Sequence, residues 1–461
     1  MPKPLADPLP IFPGAPVRGA LTLPGSKSIT NRALVLAALA ERPVTLRGAL
    51  FSRDTRIMVA ALRELGFRVE TDEAALTITV HGCGGEIPAR EATIDVGNAG
   101  TAARFLTALV CLRRGGVYHF DGDAAMRARP IAGLLDALTQ QGAEASARQF
   151  PFTLRTAGLA GGRVRLDASA SSQLISALLL VAPRAATPLR VELIGDTVSK
   201  PFVTMTERMV SDFPARFAPH TRAADKPNPQ AATARTAEAE AASAGGADAA
   251  VLDYEIEGDA TAASYFAALP VVTGGGQLSL GGLKLGPDAL QGDTAFIALL
   301  AERGLIRHEG RSISRSAADA PPHGIDADFN AFSDTFLTLA AIAPLLKGPT
   351  RITGIAHTRH QETDRVAGMA RELRKLGQHV IETEDALEIH PRPLVPDQVI
   401  ETYHDHRFAM SFGVLGCHDL RGDGQPWLSI KDPSCCGKTF PEFFDVLDSL
   451  RQSAAQTAAV S

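Results

Sequence analysis

Cations and small hydroxyl or amide side chains recur together in this chain wherever a polar turn runs into an apolar helical stretch. The first such turn is Leu23-Pro24-Gly25-Ser26-Lys27-Ser28-Ile29-Thr30-Asn31-Arg32, ahead of the Ala- and Leu-rich run Ala33–Ala40. Gly25 frees the backbone, Ser28 or Thr30 can cap the helix, and the unpaired N–H groups at the helix start face whatever Lys27 and Arg32 hold. That makes a seat for an anion, although a capped helix with two solvated cations fits the same residues. A Walker A loop does not fit, because Ser26 separates Gly25 from Lys27.

The pairing returns downstream. Cations stand at Arg104, Arg129, Lys200, Arg359, Arg365, Arg407 and Lys438, and compact hydrogen-bonding groups at Thr101, Ser171, Ser172, Gln173 and Ser199. Singly, each reads as a helix cap or a solvated charge. Together they predict helix N-termini converging on a cleft that neutralises phosphates and carboxylates, and that closes when two anionic substrates have arrived.

The acids are fewer. Asp334 opens a helix from Phe332-Ser333-Asp334-Thr335, and Glu362 sits in Arg359-His360-Gln361-Glu362-Thr363-Asp364-Arg365. A carboxylate among cations is a candidate general base, its pKa raised by burial and lowered by its neighbours. The structural alternatives are an N-cap for Asp334 and an ion pair with Arg365 for Glu362. His357, His360, His404 and His406 come with no convincing third ligand, so no metal is expected.

The elements that must position these groups repeat. Helix starts at Ser28, Thr101, Ser172, Ala262, Asp334 and His406 follow a period of roughly 72 residues, with one longer interval between the third and fourth. Each unit reads strand, helix, strand, helix, strands. Predicted helices include Phe105–Leu112, Ile131–Gln140 and Leu174–Val181, and predicted strands Val44–Arg47, Val117–Phe120 and Leu189–Ile194. The long interval contains Pro214–Ala250, whose Ala, Pro, Thr and Glu content reads as a flexible insertion. Six units with a loose boundary after the third imply two duplicated three-unit domains.

Composition agrees with an enzyme-sized chain. At 461 residues it exceeds one ordinary core, and its 45% hydrophobic content can fill two. Aromatics at 5% are too few for a base-stacking nucleic-acid surface, and the net charge of −5 means that an anion must be drawn by a local cluster of cations. Five cysteines without a CxxC pair fit a reduced, cytoplasmic setting. No apolar run approaches the roughly 18 to 20 residues of a membrane span, so a soluble protein without membrane partners is expected.

These motifs resemble those of the EPSP synthases (3-phosphoshikimate 1-carboxyvinyltransferases). The resemblance rests on Leu-Pro-Gly-Ser-Lys-Ser at 23–28 with Asn31-Arg32, Gly97-Asn98-Ala99-Gly100-Thr101 with Arg104, Arg129-Pro130-Ile131, Ser171-Ser172-Gln173, Ser199-Lys200-Pro201, Glu362-Thr363-Asp364-Arg365, Asp405-His406-Arg407 and Lys438-Thr439-Phe440-Pro441. It implies an α/β fold of two domains, an inside-out α/β barrel built from six βαβαββ repeats and crossed twice by the chain, so that one domain spans 25–250 and the other 1–24 with 251–461. It implies transfer of the enolpyruvyl group of phosphoenolpyruvate to the 5-hydroxyl of shikimate 3-phosphate with loss of phosphate. No cofactor is required, and a monomer is expected. On this resemblance Lys27, Ser171, Ser172 and Ser199 hold the shikimate phosphate, Arg32 and Ser28 its carboxylate, and Gln173 and Asp334 its ring hydroxyls. Phosphoenolpyruvate lies against Lys27, Gly100, Thr101, Arg129, Gln173, Arg365, Arg407 and Lys438. Asp334 is the implied base for the hydroxyl, Glu362 the group for proton traffic at C3, and Lys27 assists.

Four positions depart from the family pattern. Gln361 stands where a lysine is common, so either a weaker grip on phosphoenolpyruvate or compensation by Arg359 or His360 is expected. Phe105 replaces a common proline, Arg53 a common acid beside Asp54, and Phe202 the usual tyrosine, losing only a hydroxyl. The nearest rival is the sister transferase acting on UDP-N-acetylglucosamine, whose usual cysteine is missing from Asp121–Arg129. A relative with another hydroxylated acceptor and a non-catalytic anion-binding scaffold complete the alternatives.

Overall fold

The computed structural model describes residues 5–168, 171–194, 200–214, 251–316 and 322–460. Most of the predicted insertion at 214–250, and Ser199 of the expected phosphate seat, lie outside them.

The fold is mixed α/β, and its helices fall into two kinds. Six are buried on nearly every side: Lys27–Leu39, Gly100–Val110, Ser172–Val181, Ala260–Val272, Phe336–Ile342 and His406–Gly416. Apart from a few charged or polar residues near their starts, such as Arg32, Arg104 and Arg407, their sequences are apolar or small, which is the composition of a helix with no solvent face. The first three pack on one another, as do the last three. Between them in the chain come helices with one wet face, such as Arg53–Glu64 and Arg365–Lys375.

Small sheets cover the buried helices. Four sheets share one plan, a parallel pair whose second strand begins an antiparallel meander. Pro43–Arg47, for example, pairs in parallel with Leu252–Glu255 and antiparallel with Thr77–His81, which in turn pairs with Arg68–Asp72. Gly162–Asp167 and Leu189–Ile194 form a further parallel pair, and Gln398–Ile400 with Leu428–Ile430 another.

Two apolar clusters result. One gathers residues from Ile29 to Ile256, the other Ile11 to Leu23 together with Ala260 to Leu450. The start of the chain joins the second cluster because Val17–Thr22 pairs with Gly276–Gly281 and Leu9–Ile11 with Leu428–Ile430. The chain passes between clusters at Gly25 and again at Gly258, and these two glycines bridge each other. The return lies later than residue 251, because Leu252–Glu255 is still paired to Pro43–Arg47.

Local expectations are adjusted in three places. The helix predicted from Phe105 starts at Gly100, since Thr101, Ala102 and Ala103 are small enough to be buried in its first turn. Ser26, not Ser28 or Thr30, caps the first helix, accepting from Ile29 N at 3.5 Å. Asp334 is not a cap: it sits within the 3-10 turn Asn330–Thr335 that precedes the helix Phe336–Ile342, and makes no capping bond. No helix among the described residues is long and apolar enough to cross a membrane.

The first crossing demands glycine. A Cβ on Gly25 would lie 2.0 Å from the Gly48 carbonyl oxygen and 3.1 Å from Leu50 N, both backbone atoms that cannot swing aside. Gly25→Ala is therefore expected to cost at least about 2 kcal/mol, read as a lower urea midpoint; a variant as stable as the parent would contradict this close approach.

Candidate active site

A cleft opens where the two clusters face each other, and both line it. Lys27, Ser28, Arg32, Gly100, Thr101 and Arg129 border it from the first cluster, joined by Ser171, Ser172 and Gln173. Asp334, Glu362, Arg365 and Arg407 border it from the second. Lys438 lies buried just beneath, 2% exposed, with its Nζ 2.7 Å from Glu362 Oε1.

On the second side the charges form one mesh. Arg365, the first residue of its helix, donates from Nε to Asp405 Oδ2 at 2.7 Å, from Nη1 to Asp334 Oδ1 at 3.1 Å and from Nη2 to Glu362 Oε2 at 2.8 Å. Its Nη1 also donates to Gln361 Oε1. Arg407 donates to the other oxygen of Asp334 at 2.6 Å. Asp405 both caps the helix His406–Gly416, accepting from Arg407 N at 3.0 Å, and anchors Arg365.

The mesh sets the protonation states. Burial alone would raise Asp334, but Arg407 and Arg365 outweigh it and hold the carboxyl below its usual range. Burial also opposes the charge on Glu362, and Lys438, Arg365, Arg129 and Lys27 override it further, holding that carboxyl well below the ordinary value. Burial lowers the Lys438 ammonium despite its pairing with Glu362. Both candidate bases are thus ionised at neutral pH.

The first side carries fewer acids. Lys27 Nζ is 3.5 Å from Asp54 Oδ2, a carboxylate 1% exposed. Arg129 has no carboxylate within ion-pair reach among the described residues, only a 3.4 Å contact to Asn98 Oδ1, and its Nε is buried without a partner. Its guanidinium lies over Gly100, where a Cβ would meet it at 2.6 Å. Gln173 Oε1 is also buried and unpartnered, while Ser171 caps its helix by accepting from Gln173 N at 3.2 Å. The unmatched Arg129 guanidinium suits an anion, whereas the Gln173 oxygen, an acceptor, suits a hydroxyl or N–H donor.

Arg32 is held more tightly than its sequence suggests. It donates to Thr206 Oγ1 at 2.7 Å, Ser176 Oγ at 3.0 Å and the Ser28 carbonyl at 2.9 Å, and burial pushes its pKa down to about 9. Phe105 and Phe202, two of the departures from the family pattern, both stack on it, at 5.1 and 5.9 Å from their ring centroids. Thr101 Oγ1 is occupied by Asn31 Nδ2 at 2.6 Å. Arg104 lines the cleft, yet its guanidinium donates inward to the carbonyls of Gly100 and Pro130. Arg359 does not offset the missing lysine at Gln361, because it is taken by Asp364, Glu382 and the Thr383 carbonyl; His360 does reach the cleft.

Several cleft residues escaped the sequence reading. Asp293 accepts from Thr261 Oγ1, and burial together with nearby Asp334 pushes its pKa up to about 7. The signal was Gln291-Gly292-Asp293: Gln291 ties the turn to Ala260 N at 2.9 Å, and at Gly292 a Cβ would lie 2.5 Å from Pro201 Cβ.

A raised carboxyl stabilises the fold only while it keeps its proton. The contribution of Asp293 is full below the unfolded value of about 4 and is lost as pH rises through about 7. Asp293→Asn is expected to gain urea stability relative to the parent from pH 5 to pH 8; a gap independent of pH would contradict this titration.

Comparison with known proteins places the chain. The family model for EPSP synthase (3-phosphoshikimate 1-carboxyvinyltransferase) matches residues 11–447. A 3-phosphoshikimate 1-carboxyvinyltransferase from Opitutus terrae is 54% identical over 98% of this chain and 99% of its own length. One from Trichormus variabilis is 39% identical over 93% and 95%. Among solved structures, EPSP synthase from Acinetobacter baumannii superposes with a TM-score of 0.71 at 24% identity, over 96% of this chain and 98% of that one. The enolpyruvyl transferase NikO from Streptomyces tendae does so with a TM-score of 0.67 at 16% identity, over 95% and 96%. The two structural likenesses speak to the fold alone, whereas the family model and the sequence relatives reach further: the chain belongs to the EPSP synthase family.

Proposed function

We propose that this chain transfers the enolpyruvyl group of phosphoenolpyruvate to the 5-hydroxyl of shikimate 3-phosphate, releasing inorganic phosphate on the route to aromatic amino acids. The observation that carries the site reading is the convergence of Lys27, Arg129, Arg365, Arg407 and Lys438 on a cleft holding two ionised carboxylates, Asp334 and Glu362. Among the described residues, six sheets and two trios of buried helices support a two-domain, inside-out α/β barrel, with domains meeting at Gly25 and Gly258.

Shikimate 3-phosphate would take the first side. Ser171, Ser172 and Lys27 receive its phosphate, Ser28 and Arg32 its carboxylate, and Gln173 with Asp334 its ring hydroxyls; Ser199 is assigned to the phosphate on the resemblance alone. Phosphoenolpyruvate lies between Arg129 and the mesh of Arg365, Arg407 and Lys438, over Gly100 and Thr101 and within reach of Lys27 and Gln173.

Chemistry follows from the charges. C2 of phosphoenolpyruvate becomes electrophilic when C3 takes a proton, so the site must deliver one and then stabilise the cation. Glu362 is ionised because Lys438 and Arg365 hold it. A bound phosphate and carboxylate claim the same cations, which raises the proton affinity of Glu362 and lets it carry the proton to C3. Asp334 accepts the proton of the 5-hydroxyl as its oxygen attacks C2. Return of a C3 proton to Glu362 then expels phosphate, with Lys27 offsetting charge on the bridging oxygen.

Purified protein given both substrates is expected to release phosphate, and Lys27→Ala is expected to abolish it; no release above that control would sink the synthase reading. Gly100→Ala tests the donor pocket. The new methyl would displace the flexible end of Arg129 and leave the backbone in place, so the expected outcome is a normal fold and a KM for phosphoenolpyruvate raised about tenfold. An unchanged KM would remove Arg129 from that subsite.

A further inference from the structure

Among the described residues, five other than glycine adopt positive φ, and three of these stand in two turns that deliver cations to the cleft. Tyr403 and His404, at +56° and +58°, immediately precede Asp405-His406-Arg407; Asp432, at +47°, starts the turn Pro433–Lys438. Left-handed conformations are strained for residues with a Cβ, and persist only where surrounding contacts hold them.

Those contacts are present. Tyr403 Oη donates at 2.6 Å to Glu372, a fully buried carboxylate that also accepts from Glu401 N at 3.1 Å. The Tyr403 ring packs edge-on against Phe408 and under the Arg371 guanidinium. Asp432 receives Ser434 Oγ at 2.7 Å, and its own N–H donates to Asp7 at 2.9 Å. One contact joins the two turns: His404 Nδ1 lies 2.7 Å from Asp432 Oδ2.

We propose that His404 and Asp432 form a clasp that fixes the spacing of Arg407 and Lys438, making His404 a positioning residue for the enolpyruvyl donor. Arg407 follows His404 by one helical turn and grips Asp334; Lys438 follows Asp432 along its turn and grips Glu362. The helix His406–Gly416 and the turn Pro433–Lys438 pack together beneath, and the clasp closes their outer end. The His404 side chain is largely exposed and does not line the cleft, so its effect passes through the two cations. Assigning these cations to phosphoenolpyruvate rests on the function proposed above.

The test separates the clasp from the strain. Glycine accepts a φ of +58° at no steric cost but cannot reach Asp432, whereas asparagine tolerates that conformation and keeps a hydrogen-bonding group. His404→Gly is expected to raise the KM for phosphoenolpyruvate about fivefold, with kcat, the KM for shikimate 3-phosphate and the urea midpoint nearly unchanged. His404→Asn is expected to restore the parent value. Hydrogen exchange, which needs no turnover, should quicken in His404→Gly at residues 403–407 and 432–438 and not elsewhere. A parent-like donor KM with parent-like exchange would overturn the clasp, as would equal rises in both KM values. Should the parent protein release no phosphate, the reaction assignment fails instead, and the exchange result alone decides whether the clasp exists.

Discussion

A single buried guanidinium holds one wall of the cleft together. Arg365 is 1% exposed, yet it reaches Asp405 at the start of one helix, Asp334 in a separate turn, and Gln361 and Glu362 in its own. Burying that cation is costly unless every donor is matched, and removing one partner from such a set costs about 3–5 kcal/mol. The planar fork matters, because three nitrogens point three ways at once while an ammonium would serve only one locus. Through Glu362 the same network extends to Lys438, and through Asp334 to Arg407. The wall therefore behaves as one electrostatic unit.

That unit explains why the first side looks unfinished. The acids of the second side nearly balance its cations, whereas Arg129 lacks a carboxylate and the Gln173 amide oxygen lacks a donor among the described residues. A protein of net charge −5 repels anions at long range, so attraction must come from such local excess. An arriving dianion completes the first side and competes with carboxylates on the second. Ground-state order and chemical readiness are then linked, because the ion pairs that hold Glu362 ionised are those a ligand weakens.

What the sequence disclosed was whatever depends on near neighbours. Helix starts repeat because Ser171, Asp259, Asp364 and Asp405 cap locally, and a side-chain oxygen two or three residues before an N–H leaves a visible trace. Buried helices were legible from unbroken apolar runs. Hidden were contacts made across the chain: Phe105 and Phe202 closing on Arg32, Glu382 claiming Arg359, and Asp293 raised by burial and by Asp334. A phenylalanine in a helix has no local sign that its ring will face a cation rather than a core. The left-handed Tyr403 and His404 were equally silent, since only the distant Glu372 and Asp432 make those conformations tolerable.

The position of Lys27 follows from the crossing more than from its own helix. Gly25 and Gly258 bridge each other, a Cβ on Gly25 would strike the Gly48 backbone and one on Gly258 the Gly282 backbone, and Ser26 N donates to Glu257 O at 2.8 Å. Two strands of chain thus pass each other where the two clusters meet. Lys27 begins the helix that leaves this point, which sets its ammonium beside Asp54 on one side and within the electrostatic reach of Asp334 and Glu362 on the other. A lysine one turn further along would be enclosed in the first cluster, as Ile29 and Ala33 are. Contact with both sides of the cleft therefore requires a cation immediately after the crossing, and Gly25 is what lets the chain bring it there.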